Sequence, residues 1–294
     1  MTAEVFPGGG LFERGAAAFA ASIPVDPADD GFFGPGSVTW RLHADLSAPV
    51  AGLRSLLLQA LHPLAMAGVD QHSQWRDDPA GRFATTAAYV LVTTYGDRAA
   101  ARSAADRVRR IHEWVRGTDP VTGRPYAAGD PDLLIWVHAA QVDSVLAAAA
   151  RYGSEFSDAD RDGYVAEMTA AAELVGVPPG RAPACVAELD AYFAAIRPEL
   201  TLSPAAADTA RYLTALPAIE PELTDVGQVI AAAAVASLPS WARDLYGWSD
   251  AAAPDRTEVR QVLGVLDAIY LGEPGVLEAR QRLALRMRAA ESAR

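Results

Sequence analysis

From Thr39 onward the prolines of this chain stand at the junctions between apolar stretches that repeat every three to four residues, and no strand-like alternation of apolar and polar residues is visible. Proline lacks the backbone donor that a helix interior needs, so each one ends a helix, kinks it or sits in its first turn. Apolar residues make up 51% of the 294 and charged residues 21%, enough to build a large core. Alanine is abundant and β-branched residues other than valine are sparse, which favours packed helices over sheets. The expectation is an all-α protein, a single-domain multi-helix bundle.

Residues 1–37, rich in Gly, Pro and Asp with one short helical piece over 11–21, read as an irregular N-terminal arm; residues 38–294 read as the helical domain. Helices are expected over 50–61, 64–72, 81–94, 97–116, 130–151, 157–174, 184–196, 204–213, 226–246 and 256–270, and from 275 to the end. Pro63 breaks the first from the second, Gly117 is expected to cap the fourth, and 118–129 is expected to be a loop. The Val177-Pro178-Pro179-Gly180 turn is the best candidate for a domain boundary and is too short to separate two domains.

A net charge of −12 speaks against a nucleic-acid partner, which needs a basic surface. All 25 cations are arginine, so no lysine is available as Schiff base, general base or phosphate ligand. The lone Cys185 allows neither an intrachain disulfide nor a cysteine-based metal site, and reads as an idle thiol. The first residues, MTAEVFPGGGLFERG, do not resemble a signal peptide, and the longest apolar run, near 229–238, is about half what a bilayer span requires. A cytoplasmic protein with no membrane partner is expected.

Chemistry is concentrated in five histidines and one helix. His112 shares a helical face with Ala105, Val108 and Val115, and His138 faces inward with Leu134, Gln141, Val142 and Val145. An imidazole on an apolar stripe needs a partner, which a metal, a carbonyl or a carboxylate can supply. His62 stands at the Pro63 kink, where freed carbonyls could accept its proton; His72 reads as a helix-end residue and His43 as an ordinary one. In the 81–94 helix Arg82, Thr86, Tyr89 and Thr93 share a face, while Phe83 and residues 89–92 make the helix apolar almost all round and predict its burial. A buried Arg-Thr-Tyr stripe needs something polar to face, such as a cofactor carboxylate, a bound oxygen species or a substrate. Paired Glu-x-x-His motifs, His-Glu-x-x-His, Gly-x-Ser-x-Gly, a Walker loop and a dinucleotide fingerprint are all missing from the sequence. Haem iron held by one histidine suits this inventory.

The ordered motifs extend the case. Residues 54–63 (RSLLLQALHP) with Gly68-Val69 and His72-Ser73, residues 78–86 (DPAGRFATT), residues 111–117 (IHEWVRG), residues 126–131 (YAAGDP) and Trp136-Val137-His138-Ala139 follow one another as they do in the MpaB-like and latex-clearing-protein oxygenases. Residues 238–247 (LPSWARDLYG) are a further match, so the resemblance spans about residues 50–250. It implies an all-helical fold with a buried haem b pocket, dioxygen and a small-molecule substrate as partners, and oxidoreductase chemistry. Carried over position by position, His112 is the implied iron ligand, with His138 in reserve, and Arg82 and Thr86 are the implied pocket and catalytic residues. Rubber-cleaving members are secreted and place a lysine where Thr85 stands, which argues against polyisoprene. The expected function is thus a haem b oxygenase or oxidase of a small, largely apolar molecule; the alternative is a helical protein that binds haem or a hydrophobic ligand without turning it over.

Overall fold

Proline opens the helices and aspartate or serine caps them. In the computed structural model, which describes residues 29–73, 75–215, 224–271 and 276–292, Asp78 Oδ1 accepts from Gly81 N at 2.9 Å ahead of Pro79, and Asp130 Oδ1 accepts from Asp132 N at 2.9 Å ahead of Pro131. Ser157 and Asp160 form a reciprocal capping box. Thirteen α-helices result among the described residues: α1 (Val38–His43), α2 (Ala48–Ala60), α3 (Pro63–His72), α4 (Pro79–Tyr95), α5 (Arg98–His112), α6 (Pro131–Tyr152), α7 (Asp158–Val175), α8 (Val186–Ile196), α9 (Pro204–Ala215), α10 (Thr224–Ser237), α11 (Ser240–Tyr246), α12 (Arg256–Leu271) and α13 (Val276–Ser292). The all-α expectation holds, and the chain is one helical bundle apart from a small hairpin. The expected 11–21 helical piece and Gly275 lie outside the described residues.

The core forms around α6, which packs along α2 and against α7, α10 and α12. Small buried residues on the two partners, Ala51 and Ala60 on α2 and Ala139, Ala140, Ala148 and Ala149 on α6, let the backbones approach. One charged side chain crosses this core. Arg54, 2% exposed, pairs with Asp143 at 2.7 Å and donates to Ser144 Oγ at 2.7 Å and Ser237 O at 2.9 Å, tying α2 to α6 and α10. With its donors spread over three partners the guanidinium escapes the cost of an unpaired buried charge. The most span-like segment is therefore α6 itself and not the 229–238 run: it has mean hydropathy 1.5 over 18 residues, but two thirds of that window is buried inside the protein. At His62-Pro63 the chain turns through 103° between α2 and α3, the break expected of proline.

Four expectations fail locally. The 226–246 helix is split into α10 and α11, because Pro239 cannot donate to the carbonyl ladder and caps the second piece. The 97–116 helix stops at His112, and Arg116–Thr118 (β1) pairs antiparallel with Pro125–Ala127 (β2), turning the expected loop into a hairpin. Gly117 is consequently a strand residue and not a helix cap. A Cβ there would lie 2.8 Å from Tyr126 Oη and 3.0 Å from Gln71 Oε1, so glycine is what lets the hairpin sit against α3.

Residues 29–37 lead into α1 along α4, α7 and α13. Arg286 of α13 donates to Asp29 O at 2.8 Å and pairs with Asp30 at 2.9 Å, and Ser37 caps α1 by accepting from Trp40 N. Gly31, at φ +67°, would place a Cβ 2.4 Å from the Gly96 carbonyl between α4 and α5, so the turn of this segment is fitted against the turn of the α4–α5 hairpin.

Candidate functional site

The α4–α5 hairpin turns at Gly96-Asp97, so the start of α4 lies beside the end of α5. Asp97 Oδ1 accepts from Ala100 N at 2.6 Å and starts the return helix. This topology brings together residues thirty apart in sequence: Arg82, in the first turn of α4, and His112, the last residue of α5. Arg82 Nη1 reaches Thr86 Oγ1 at 3.4 Å, and the same hydroxyl donates to Arg82 O at 3.0 Å, so Thr86 accepts from the guanidinium while anchored to the helix. The nearby Arg82 charge and, above all, burial lower the His112 pKa, which keeps the imidazole neutral. Burial likewise lowers the pKa of Arg82.

The His112 ring makes no hydrogen bond among the described residues, and its Nδ1 is fully buried. Two turns along α4 from Arg82, the Tyr89 hydroxyl is also buried without a hydrogen-bond partner among the described residues, and burial pushes its pKa up to about 12. Thr93, expected to extend this face, spends its hydroxyl on the Tyr89 and Val90 carbonyls at 2.9 and 3.1 Å, and Thr85 donates to Gly81 O at 2.8 Å. The expected burial of α4 is complete only in its last turn. Ala84, Thr93, Thr94 and Tyr95 are buried and residues 87–92 half-buried, but Arg82, Thr85 and Thr86 are exposed. Periodicity showed which face was apolar but not which end of the helix lay under other elements.

The remaining histidines separate clearly. His138, on α6, is 7% exposed, makes no hydrogen bond among the described residues, and has its pKa lowered to about 4 by burial; it faces inward as expected. His62 is 3% exposed, its Nδ1 has no hydrogen-bond partner among the described residues, and its ring lies 5.9 Å from that of Trp136. His72 Nε2 sits 3.1 Å from Tyr126 Oη and 3.2 Å from Arg116 O, a helix-end contact to the hairpin. His43 is no ordinary surface residue: it lies between Thr94 Oγ1 (2.8 Å) and Tyr164 Oη (2.9 Å), its pKa lowered to about 4 by burial. Cys185 stands half-buried ahead of α8 with no side-chain cap bond.

Among the described residues no cluster of three or more His, Cys, Asp or Glu is gathered for a metal ion. A porphyrin brings four ligands of its own and asks the protein for an axial one. A neutral imidazole free of hydrogen bonds, faced by an arginine with one long side-chain bond, fits that requirement. Arg109 was not anticipated. It lies one turn before His112 on the same helix, bears electrostatically on Tyr89, donates to Leu174 O at 2.7 Å and pairs with Asp106; its i, i+3 spacing to His112 was the available signal. A cavity of about 400 Å³ between α5 and α7, lined by Phe32, Arg102, Asp106, Arg109 and Glu173, contains none of the four anticipated site residues.

Comparison with known proteins gives one match. The model of the family described as ER-bound oxygenase mpaB/B′/rubber oxygenase, catalytic domain, matches residues 40–268. No curated protein and no solved structure matches the chain significantly.

Proposed function

Since this chain belongs to the catalytic-domain family of the mpaB/B′ and rubber oxygenases, we propose that it is a haem b-dependent oxygenase or oxidase of a small, largely apolar organic molecule, with His112 as the axial ligand. The family itself is an oxygenase catalytic domain. The observation that carries it is the His112 imidazole, neutral and free of hydrogen bonds where the end of α5 meets Arg82.

When bound, haem b supplies the iron at which dioxygen or a peroxide is reduced and the substrate oxidised. The residues of the chain do the rest. Burial and the neighbouring Arg82 charge hold His112 deprotonated, so a nitrogen lone pair is available to a metal. Burial lowers the Arg82 pKa from a range far above physiological pH, so its guanidinium would stay cationic and offer donors to an anionic group of a bound cofactor or substrate. Thr86 restricts the rotamers of that guanidinium. His138 remains the alternative ligand because it too is buried, neutral and without a hydrogen bond.

The test is the optical spectrum of protein purified from haem-replete cells, recorded oxidised, reduced and under carbon monoxide. A Soret band that shifts on reduction and again with carbon monoxide is expected, and oxygen uptake with apolar alkenes or aromatics would separate turnover from mere binding. Colourless protein that develops no Soret band with added hemin would overturn the proposal.

A further inference from the structure

The most exposed large apolar side chain among the described residues is Trp114, 81% accessible, and Ile111, one turn before it, is 54% accessible. Both stand at the end of α5, where Glu113 N donates to Arg109 O at 3.1 Å and Trp114 N to Ile111 O at 3.0 Å, so the coil runs on past His112. Residues 107, 110, 111 and 114 therefore share one face at helical spacing. The opposite face, where Ala101 and Ala105 are buried, turns to α4 and α7. Single exposed apolar residues are ordinary on a protein surface, but this pair stands among charges of one sign. Arg107 and Arg110 are exposed and form no ion pair among the described residues, and Arg116, just beyond, donates to the Glu113 carbonyl. Over residues 106–116 four arginines stand against two carboxylates, one of them taken by Arg109, in a chain whose net charge is −12.

We propose that the end of α5 docks the protein on a membrane surface carrying anionic lipid, with Trp114 and Ile111 entering the headgroup boundary and Arg107, Arg110 and Arg116 meeting the lipid charges. Charge selects the partner. Unpaired arginines on an acidic protein fit a negative surface, and the same lipid repels the rest of the molecule, so approach by this end is favoured. An indole, apolar but with one N–H donor, is most at home at the level of the headgroups, and arginine stems lie along apolar surface while their heads stay in water. Size argues the same way: two apolar side chains fall well short of the roughly 800 Å² per partner that a stable protein interface buries, whereas a lipid surface asks for no matching shape. Such a contact needs no spanning segment. It also brings the helix end that carries His112, with Arg82 beside it, to the medium in which a largely apolar molecule dissolves.

The docking surface does not depend on the haem reading, and its test needs no cofactor. The full chain is floated with vesicles of phosphatidylcholine, with and without phosphatidylserine. Binding is expected only where phosphatidylserine is present, weakening as salt is raised and accompanied by a blue shift of tryptophan emission. Trp114→Ser should lower vesicle affinity about tenfold and abolish the blue shift. A variant carrying Arg107→Gln and Arg110→Gln should lose about fivefold for each charge removed. All three side chains are exposed, so both variants should melt at the wild-type temperature. No binding to phosphatidylserine vesicles, equal binding to neutral ones, or binding unchanged in Trp114→Ser overturns the proposal. Self-association of the wild type that ignores vesicles and is lost in Trp114→Ser overturns it too, and gives the ridge to a second copy of the chain.

Discussion

Two buried histidines show most directly what burial does to chemistry. His43 and His138 both have pKa values near 4, against a usual value near 6.5, with desolvation as the cause. Their sign follows from proton counting: between about pH 6.5 and 4 the unfolded chain binds protons that the folded chain refuses, so stability is complete above 6.5 and lost as pH falls. Each contributes a loss on the order of 3 kcal/mol by pH 4, and His62 and His112, also lowered, act in the same direction. Urea midpoints should therefore drop steeply between pH 7 and pH 4, and a His138→Leu variant should show a shallower dependence; a midpoint constant over this range would mean that these imidazoles are solvated. Sequence separated the five histidines only in part. It placed His138 inward from its apolar neighbours at helical spacing, but it missed His43, whose partners Thr94 and Tyr164 lie 51 and 121 residues away.

At the level of elements, the sequence announced where helices begin far better than where they end. Beginnings are local: an aspartate or serine followed by proline satisfies the first free N–H groups within a few residues, and α3, α4, α6 and α9 all start at the proline that marked them. Endings depend on what arrives from elsewhere. The α5 helix was expected to continue to residue 116 and stops at His112, because Arg116 to Thr118 are drawn away to pair with a strand about ten residues on and to lie against α3. Gly117 at this junction makes a sharp test. Adding a methyl group there brings it to 2.8 Å from Tyr126 Oη, and Tyr126 is buried and held by Gln71 Oε1 at 2.9 Å, so it has little room to move. Gly117→Ala is expected to cost about 1–3 kcal/mol, the usual price of overpacking, seen as a lower melting temperature; unchanged melting would show that the hairpin sits less closely on α3.

Across the whole molecule, α6 is wrapped by α2, α7, α10 and α12, and the α4–α5 hairpin is applied to this core through α1 and α7. That division explains what could be read in advance. The core followed from periodicity, since every buried helix had to show its apolar face in the sequence. The site did not, because it is made where two helix ends meet: Arg82, Thr86 and His112 could be named from motifs, but the unbonded His112 ring, and the addition of Tyr89 and Arg109, needed coordinates. The central claim is that His112 binds the iron. It is tested by titrating hemin into the wild type, His112→Ala and His138→Ala, following the Soret band while far-UV circular dichroism reports the helices. Losing only a supporting partner of a metal ligand already weakens binding about 10–100-fold, so His112→Ala should lose at least that much with its helices intact, and His138→Ala should retain hemin. Full hemin binding by His112→Ala, with loss in His138→Ala, would contradict the assignment and move the iron to α6.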